Sequence, residues 1–142
     1  MQKKLLCVAL EQIIVDGDYP YIIGLGDDDE YNGGLPIRLN DGYPYFATGF
    51  NVSIYDSKIY SVNDNKWHFA CLSFDSKTAV FYIDNKVVYA KDMEINMDDT
   101  KFTIGAHKTG RSKFTGDISD IRVYNKGLNF EEIYRVYQNI KR

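Results

Sequence analysis

Trp67-His68-Phe69-Ala70-Cys71-Leu72-Ser73-Phe74 passes through the turn residues Asp75-Ser76-Lys77-Thr78 into Ala79-Val80-Phe81-Tyr82-Ile83. Asp84-Asn85-Lys86 then turns the chain into Val87-Val88-Tyr89. Short apolar and aromatic runs separated by turn chemistry read as consecutive antiparallel strands. Asn85 is the residue of the second turn that best tolerates the left-handed backbone. Two more such runs come later in the chain, Phe102-Thr103-Ile104-Gly105-Ala106 and Phe114-Thr115-Gly116-Asp117-Ile118-Ser119-Asp120-Ile121-Arg122-Val123-Tyr124-Asn125.

Strand signals continue upstream. Leu5–Val15 is apolar and stops at Asp16-Gly17-Asp18, and Tyr21-Ile22-Ile23 runs into Gly24 and Gly26. Leu35–Leu39 and Tyr43–Thr48 flank Asn40-Asp41-Gly42, a strong hairpin signal because Gly accepts positive φ at no steric cost. Phe50–Ile54 and Lys58–Val62 read as two further strands around Tyr55-Asp56-Ser57. Tyr19-Pro20-Tyr21 and Tyr43-Pro44-Tyr45 each follow an Asp-Gly closely. A proline there belongs at a strand start or a sheet edge, since it cannot donate to a ladder.

One helix is expected, at the end. Asn129 can N-cap it, Glu132 completes a capping box, and Leu128 can staple onto Ile133. Phe130, Ile133, Tyr134, Tyr137 and Ile140 recur at helical spacing and mark the face expected to pack on the sheets. Many short strands with one terminal helix predict an all-β fold, an antiparallel jelly-roll β-sandwich with one short C-terminal helix.

Composition narrows the function classes. At 142 residues the chain fits one domain, expected to span 1–142. Net charge is -3 and charged residues make up 26%, a balance that argues against disorder and against a nucleic-acid partner. No stretch approaches the length of a bilayer span, so membrane insertion is not expected. The start, Met1-Gln2-Lys3-Lys4 followed by Leu5–Leu10, is too short an apolar run for a signal peptide before Glu11-Gln12. Cys7 and Cys71 each sit in an apolar run and read first as small buried hydrophobes. A bridge between them needs two strands facing each other at about 4.4–6.8 Å between Cα atoms.

Five motifs in order resemble the laminin-G-like, concanavalin-A-like jelly-roll family. Trp67-His68-Phe69-Ala70 is similar to its Trp-His-His-Val-Ala, and Tyr82-Ile83-Asp84-Asn85 to a strand ending in Val-Asp-Gly, with Asn for Gly. Thr103-Ile104-Gly105 matches Thr-Ile-Gly. Phe114–Asn125 resembles Phe-x-Gly-x-Ile-Asp-Glu-Val-Arg-Ile-Tyr-Asn, and Leu128–Ile133 the closing Leu-x-x-x-Glu-Ile. The resemblance implies a binding module on a secreted, cell-surface or virion protein. It also implies that the family's first strand, normally beside the one at Ile118–Tyr124, is absent. The resulting open edge is expected to be filled by a second copy, making a homo-oligomer, or by a neighbouring segment of a larger protein.

Catalytic patterns are absent from the sequence. No Glu-x-Asp-x-x-Glu strand occurs, and His68 and His107 are the two histidines, too few for a multi-histidine zinc site. No enzyme is expected, and His68 reads as a structural residue. Calcium is a possible ligand, as in many relatives, through Asp27, Asp29 and Glu30 of the loop Asp27-Asp28-Asp29-Glu30-Tyr31-Asn32-Gly33-Gly34. Two surfaces are candidates for a glycan or protein ligand. One is the tyrosine-rich turns, represented by Tyr43 and Tyr45, whose rings suit stacking on sugars. The other is the basic loop with His107, Lys108, Arg111 and Lys113, where Arg111 can hold a carboxylate bidentately. The expected function is a non-catalytic module recognising a carbohydrate or protein through rim loops. The alternative is a structural or assembly protein, such as a phage-tail or cell-surface component, using the sandwich for subunit contacts.

Overall fold

The computed structural model describes residues 4–12, 20–25, 35–48, 53–56, 60–74, 77–92, 102–107 and 109–140. In chain order they form β1 (Lys4–Gln12), β2 (Tyr21–Leu25), β3 (Leu35–Asn40), β4 (Tyr43–Thr48) and β5 (Ser53–Asp56). Then come β6 (Trp67–Phe74), β7 (Thr78–Ile83), β8 (Lys86–Asp92), β9 (Phe102–Ile104), β10 (Gly116–Tyr124) and the helix α1 (Phe130–Ile140). Two antiparallel sheets result, ordered β10-β1-β6-β7-β8 and β5-β4-β3-β2-β9. We call them the front and back sheets. The expected all-β sandwich with a C-terminal helix is what the chain adopts.

Strand alternation builds the core between the sheets. Ala70, Leu72, Phe74, Phe81 and Ile83 from the front sheet meet Ile23, Ile37, Leu39 and Phe46 from the back sheet. Phe46 packs edge-on against Phe81 with ring centroids 5.6 Å apart, the arrangement favoured by aromatic quadrupoles. A register shift between Tyr21 and Ile23 sends both Ile22 and Ile23 into the core, which strict alternation would forbid.

The other face of the front sheet is covered by α1. Phe69, Cys71 and Tyr82 pack there against Ile133, Val136 and Ile140, with Leu128 and Tyr137 beside them. The capping box forms as expected: Glu132 N–H donates to Asn129 Oδ1 and Asn129 N–H to Glu132 Oε2, each at 2.9 Å. The buried face differs from the expected one. Val136 is buried, whereas Phe130 and Tyr134 are 54% and 46% exposed. The helix is rolled so that its tightest stripe is Ile133, Val136 and Ile140, branched residues that fit a sheet surface more closely than rings.

Tight turns set how the strands meet at the ends of the sandwich. Asp41 and Gly42 close the β3–β4 hairpin with φ of 50° and 81°, and Asp84 and Asn85 close β7–β8 with φ of 49° and 62°. Both are two-residue turns whose twist matches the strands. Residues 60–66 are not the strand expected over Lys58–Val62. They cross one end of the sandwich as a strap, with Val62 N–H donating to Gly42 O at 2.8 Å and the Val62 side chain in the core. A Cβ at Gly42 would lie 2.7 Å from Asn63 Cβ, so the strap can sit this close because residue 42 is glycine.

The cysteines depart from the first reading. Cys71 is disulfide-bonded, the sequence holds one other cysteine, and the β1–β6 ladder sets Cys7 directly opposite Cys71. That register supplies the two facing strands a bridge requires.

Candidate functional site

Among the described residues no helix lies over the outer face of the back sheet, where Tyr21 and Tyr45 are nevertheless 4% and 2% exposed. Direct cross-strand partners share a face, and the ladder joins Tyr21 to Arg38, Arg38 to Tyr45, and Asn40 to Tyr43. These residues alternate with the core residues Ile37, Leu39 and Phe46, so they form one array facing away from the core. Within it Arg38, Asn40 and Tyr43 are half-buried. The Arg38 guanidinium lies 4.3 Å from the Tyr21 ring centre, a cation–π contact.

The basic loop is stitched to the same array. Gly105 N–H donates to Ile22 O, and Tyr21 N–H donates to Ser112 O, both at 2.9 Å. Between these anchors, His107 N–H donates to Arg111 O at 2.9 Å and Gly110 N–H to His107 O at 2.7 Å. Gly110, at φ 82°, allows the tight reversal. His107 is 7% exposed and meets the Tyr21 ring edge-on at 5.3 Å. Arg111 Nε donates to Thr109 Oγ1 at 3.1 Å, and Thr109 Oγ1 is 2.7 Å from His107 Nδ1. Thr109 N–H also points to His107 Nδ1, at 3.2 Å, so Nδ1 is an acceptor and the ring proton sits on Nε2.

The two candidate surfaces read separately from the sequence are therefore one. Tyr21 joins them, with Arg38 on its face and His107 at its edge. Of the expected ligand residues, Arg111 and Lys113 are exposed and Tyr43 is half-buried on the array. Tyr45 lies on the same face but is 2% exposed, which corrects its reading as a stacking platform. His107 is correspondingly a buried support of the loop rather than an open contact. Lys108 and the calcium candidates Asp27, Asp29 and Glu30 lie outside the described residues. Among the described residues, no cluster of His, Cys, Asp and Glu could hold a metal ion. Arg38 was not singled out from the sequence. Its one signal is a charge in the alternating run Pro36-Ile37-Arg38-Leu39, which puts it on the face opposite the core.

His68 sits apart from this site. Its Nδ1 is 2.7 Å from Asp84 Oδ2 and its Nε2 is 2.7 Å from Asp64 Oδ1. Asp84 Oδ1 also accepts from Phe69 N–H at 2.9 Å. Two carboxylates on two ring nitrogens call for an imidazolium, which alone donates from both. Half-burial pulls the His68 pKa down, but the hydrogen bonds to Asp84 and Asp64 outweigh it and the net shift is upward. The bond from His68 holds the Asp64 carboxyl below its usual range. The corner ties the strap to the β7–β8 turn, where the Lys86 ammonium also lies 5.0 Å from the Tyr60 ring centre. This geometry is structural.

Comparison with solved structures finds the same sandwich in two domains solved with bound sugars and in the binding domain of a neurotoxin. Domain 4 of an extracellular arabinanase from Geobacillus stearothermophilus, in complex with arabinotriose, superposes with a TM-score of 0.75 at 16% identity, over 97% of this chain and 68% of that one. The CBM40 module of the Ruminococcus gnavus IT-sialidase bound to α2,3 sialyllactose gives 0.76 at 12% identity, over 96% and 83%. A botulinum neurotoxin serotype D/C binding domain gives 0.71 at 16% identity, over 99% and 37%. At such identities the likeness concerns the fold. No curated protein matches by sequence. The model of the concanavalin A-like lectin/glucanase superfamily, in its laminin-G form, matches residues 10–134. With that match over most of its length and the two-sheet jelly roll beneath it, this chain belongs to the concanavalin A-like lectin/glucanase superfamily.

Proposed function

We propose that this domain is a non-catalytic glycan-binding module, and that its site is the outer face of the back sheet around Arg38. The observation that carries the reading is the continuous array Arg38–Tyr21–His107–Arg111, two guanidiniums flanking a fixed aromatic pair. A guanidinium held on a ring is pre-oriented, so it loses little freedom on binding an acidic or hydroxyl-rich sugar. Similar structures that carry arabinotriose or sialyllactose support a sugar as ligand. A disulfide at Cys71 supports an oxidising location, secreted or on a cell or virion surface. Calcium at Asp27, Asp29 and Glu30 rests on residue type alone and is read by a calcium titration with and without glycan.

Titration calorimetry against sialyllactose, uronate oligosaccharides and arabino-oligosaccharides tests the site. Arg38→Ala and Arg111→Ala should each weaken the bound glycan about tenfold or more, with folding unchanged. Binding of none of these sugars, or binding indifferent to both substitutions, sinks the assignment. Assembly through the sandwich is the second reading, and the specific observation behind it is the open β10 edge.

A further inference from the structure

Among the described residues four strands form the edges of the two sheets: β10 and β8 in front, β5 and β9 behind. Three are protected in familiar ways. β5 and β9 have 4 and 3 residues, and β8 exposes Lys86 and Lys91 along its length. β10 is different. It has 9 residues, its neighbour in the sheet is β1 on one side, and Val123 is 50% exposed.

The strand carries one irregularity. Cys7 faces Arg122 while Ala9 faces Ser119, so β10 holds an extra residue there, and Asp120 has φ 52°. The bulge divides the strand into two short halves, Gly116 to Ser119 and Ile121 to Tyr124. Through β1, the register places Asp117, Ser119 and Arg122 in line with Trp67, Phe69 and Cys71, on the helix side of the sheet. Ile118 and Ile121 pack against the inner core. With the bulge residue left out, Asp117 and Arg122 stand four positions apart on one face, roughly 13 Å along the strand. That is too far to pair within one chain. Neither side chain has an ion pair or hydrogen bond among the described residues.

We propose that a second copy of this chain adds antiparallel to β10 about a two-fold axis at Ser119. In that register Asp117 of each copy stands opposite Arg122 of the other, Ile118 opposite Ile121, and Gly116 opposite Val123. Every pair occurs twice, as an isologous interface requires. The register also keeps parity. Counted without the bulge residue, each residue pointing its N–H and C=O outward meets one that does the same. An acid and a base left unpaired at mirrored positions of one edge are complementary to their own copy, and this selects a second copy over an unrelated strand. The two front sheets become one sheet of ten strands, and the pairing does not involve the back sheets that carry Arg38.

Sedimentation of the full chain from about 1 to 200 µM tests this. A dimer should form, and Arg122→Asp or Asp117→Arg should each weaken it about tenfold or more, since both pairs turn repulsive at once. The double variant Asp117→Arg/Arg122→Asp should restore it to within about threefold of wild type. A wild-type monomer throughout the range overturns the proposal. So do single variants that dimerise as wild type, or a folded double variant no better than the singles. Should the variants not fold, amide exchange of Ile118 to Val123 in the wild type decides: protection rising with concentration supports the pairing, and unchanged protection overturns it.

Discussion

The two outer faces of the sandwich invite comparison. The front face is covered by α1, crossed by a disulfide at Cys71, and filled with Phe69, Tyr82, Ile133, Val136 and Ile140. The back face carries Tyr21, Arg38, Asn40, Tyr43 and Tyr45 with no helix over it among the described residues, and a basic loop is sewn to its rim. Strand alternation produces both, yet one face became framework and the other a polar array. The histidines repeat the contrast. His68 is held between two carboxylates at 2.7 Å each, whereas His107 leans on a tyrosine edge and a threonine hydroxyl. A residue type by itself therefore does not mark the site. The face it occupies does.

Perturbing the front face should cost stability and leave ligand alone. Reducing the disulfide reopens a loop of about 65 residues, worth about 4 kcal/mol in the chain-entropy account. The melting temperature should fall by about 10 °C, measured by calorimetry with and without reductant; an unchanged melt would contradict a structural bond. Ile133→Ala, at 0% exposure under the helix, should cost about 3 kcal/mol in urea unfolding while glycan affinity at a permissive temperature is retained. Arg38→Ala should do the reverse, shifting the melt by no more than a degree or two while weakening glycan binding about tenfold or more. If both variants lose binding in parallel, the separation of faces is wrong.

The smallest expected effect lies at His68. Its folded pKa is above the unfolded value of about 6.5, so the folded state holds the proton more tightly. That contribution is complete below about pH 6.5 and is lost as pH rises through the folded pKa. Asp64, shifted the other way, contributes above its unfolded pKa and loses that contribution as pH falls through the folded one. The melting temperature should decline modestly from pH 6.5 upward, and His68→Asn should flatten that decline. A wild-type melt that rises over this interval, or a variant with the same slope, would show that the two bonds are not held by an imidazolium.

Much of the frame was legible in the sequence, because local chemistry dictated it. Asp41-Gly42, Asp84-Asn85 and the Asn129/Glu132 box are short-range signals, and each formed as expected. What depends on register was not legible. Arg38 becomes a candidate site residue because Tyr21 lies across the ladder from it, and no run of residues announces that. Tyr45 sits near a turn, but nearness to a turn does not fix exposure. The strap at 60–66 carries an apolar Val62 like a strand, yet its partner is the Gly42 carbonyl of a hairpin turn. The cysteines look like buried hydrophobes until β1 and β6 are aligned.

The covalent rung between β1 and β6 also has a mechanical meaning. Tension applied to β1 from its beginning would peel the strand away rung by rung, each rung opening at low force. The ladder from Lys4 offers three such rungs against β6 before the one joining positions 7 and 71. Peeling stops there, because the next bond to break is a sulfur–sulfur bond rather than a hydrogen bond. A domain tethered through that end and pulled through a bound sugar would bear load across its front sheet without unravelling.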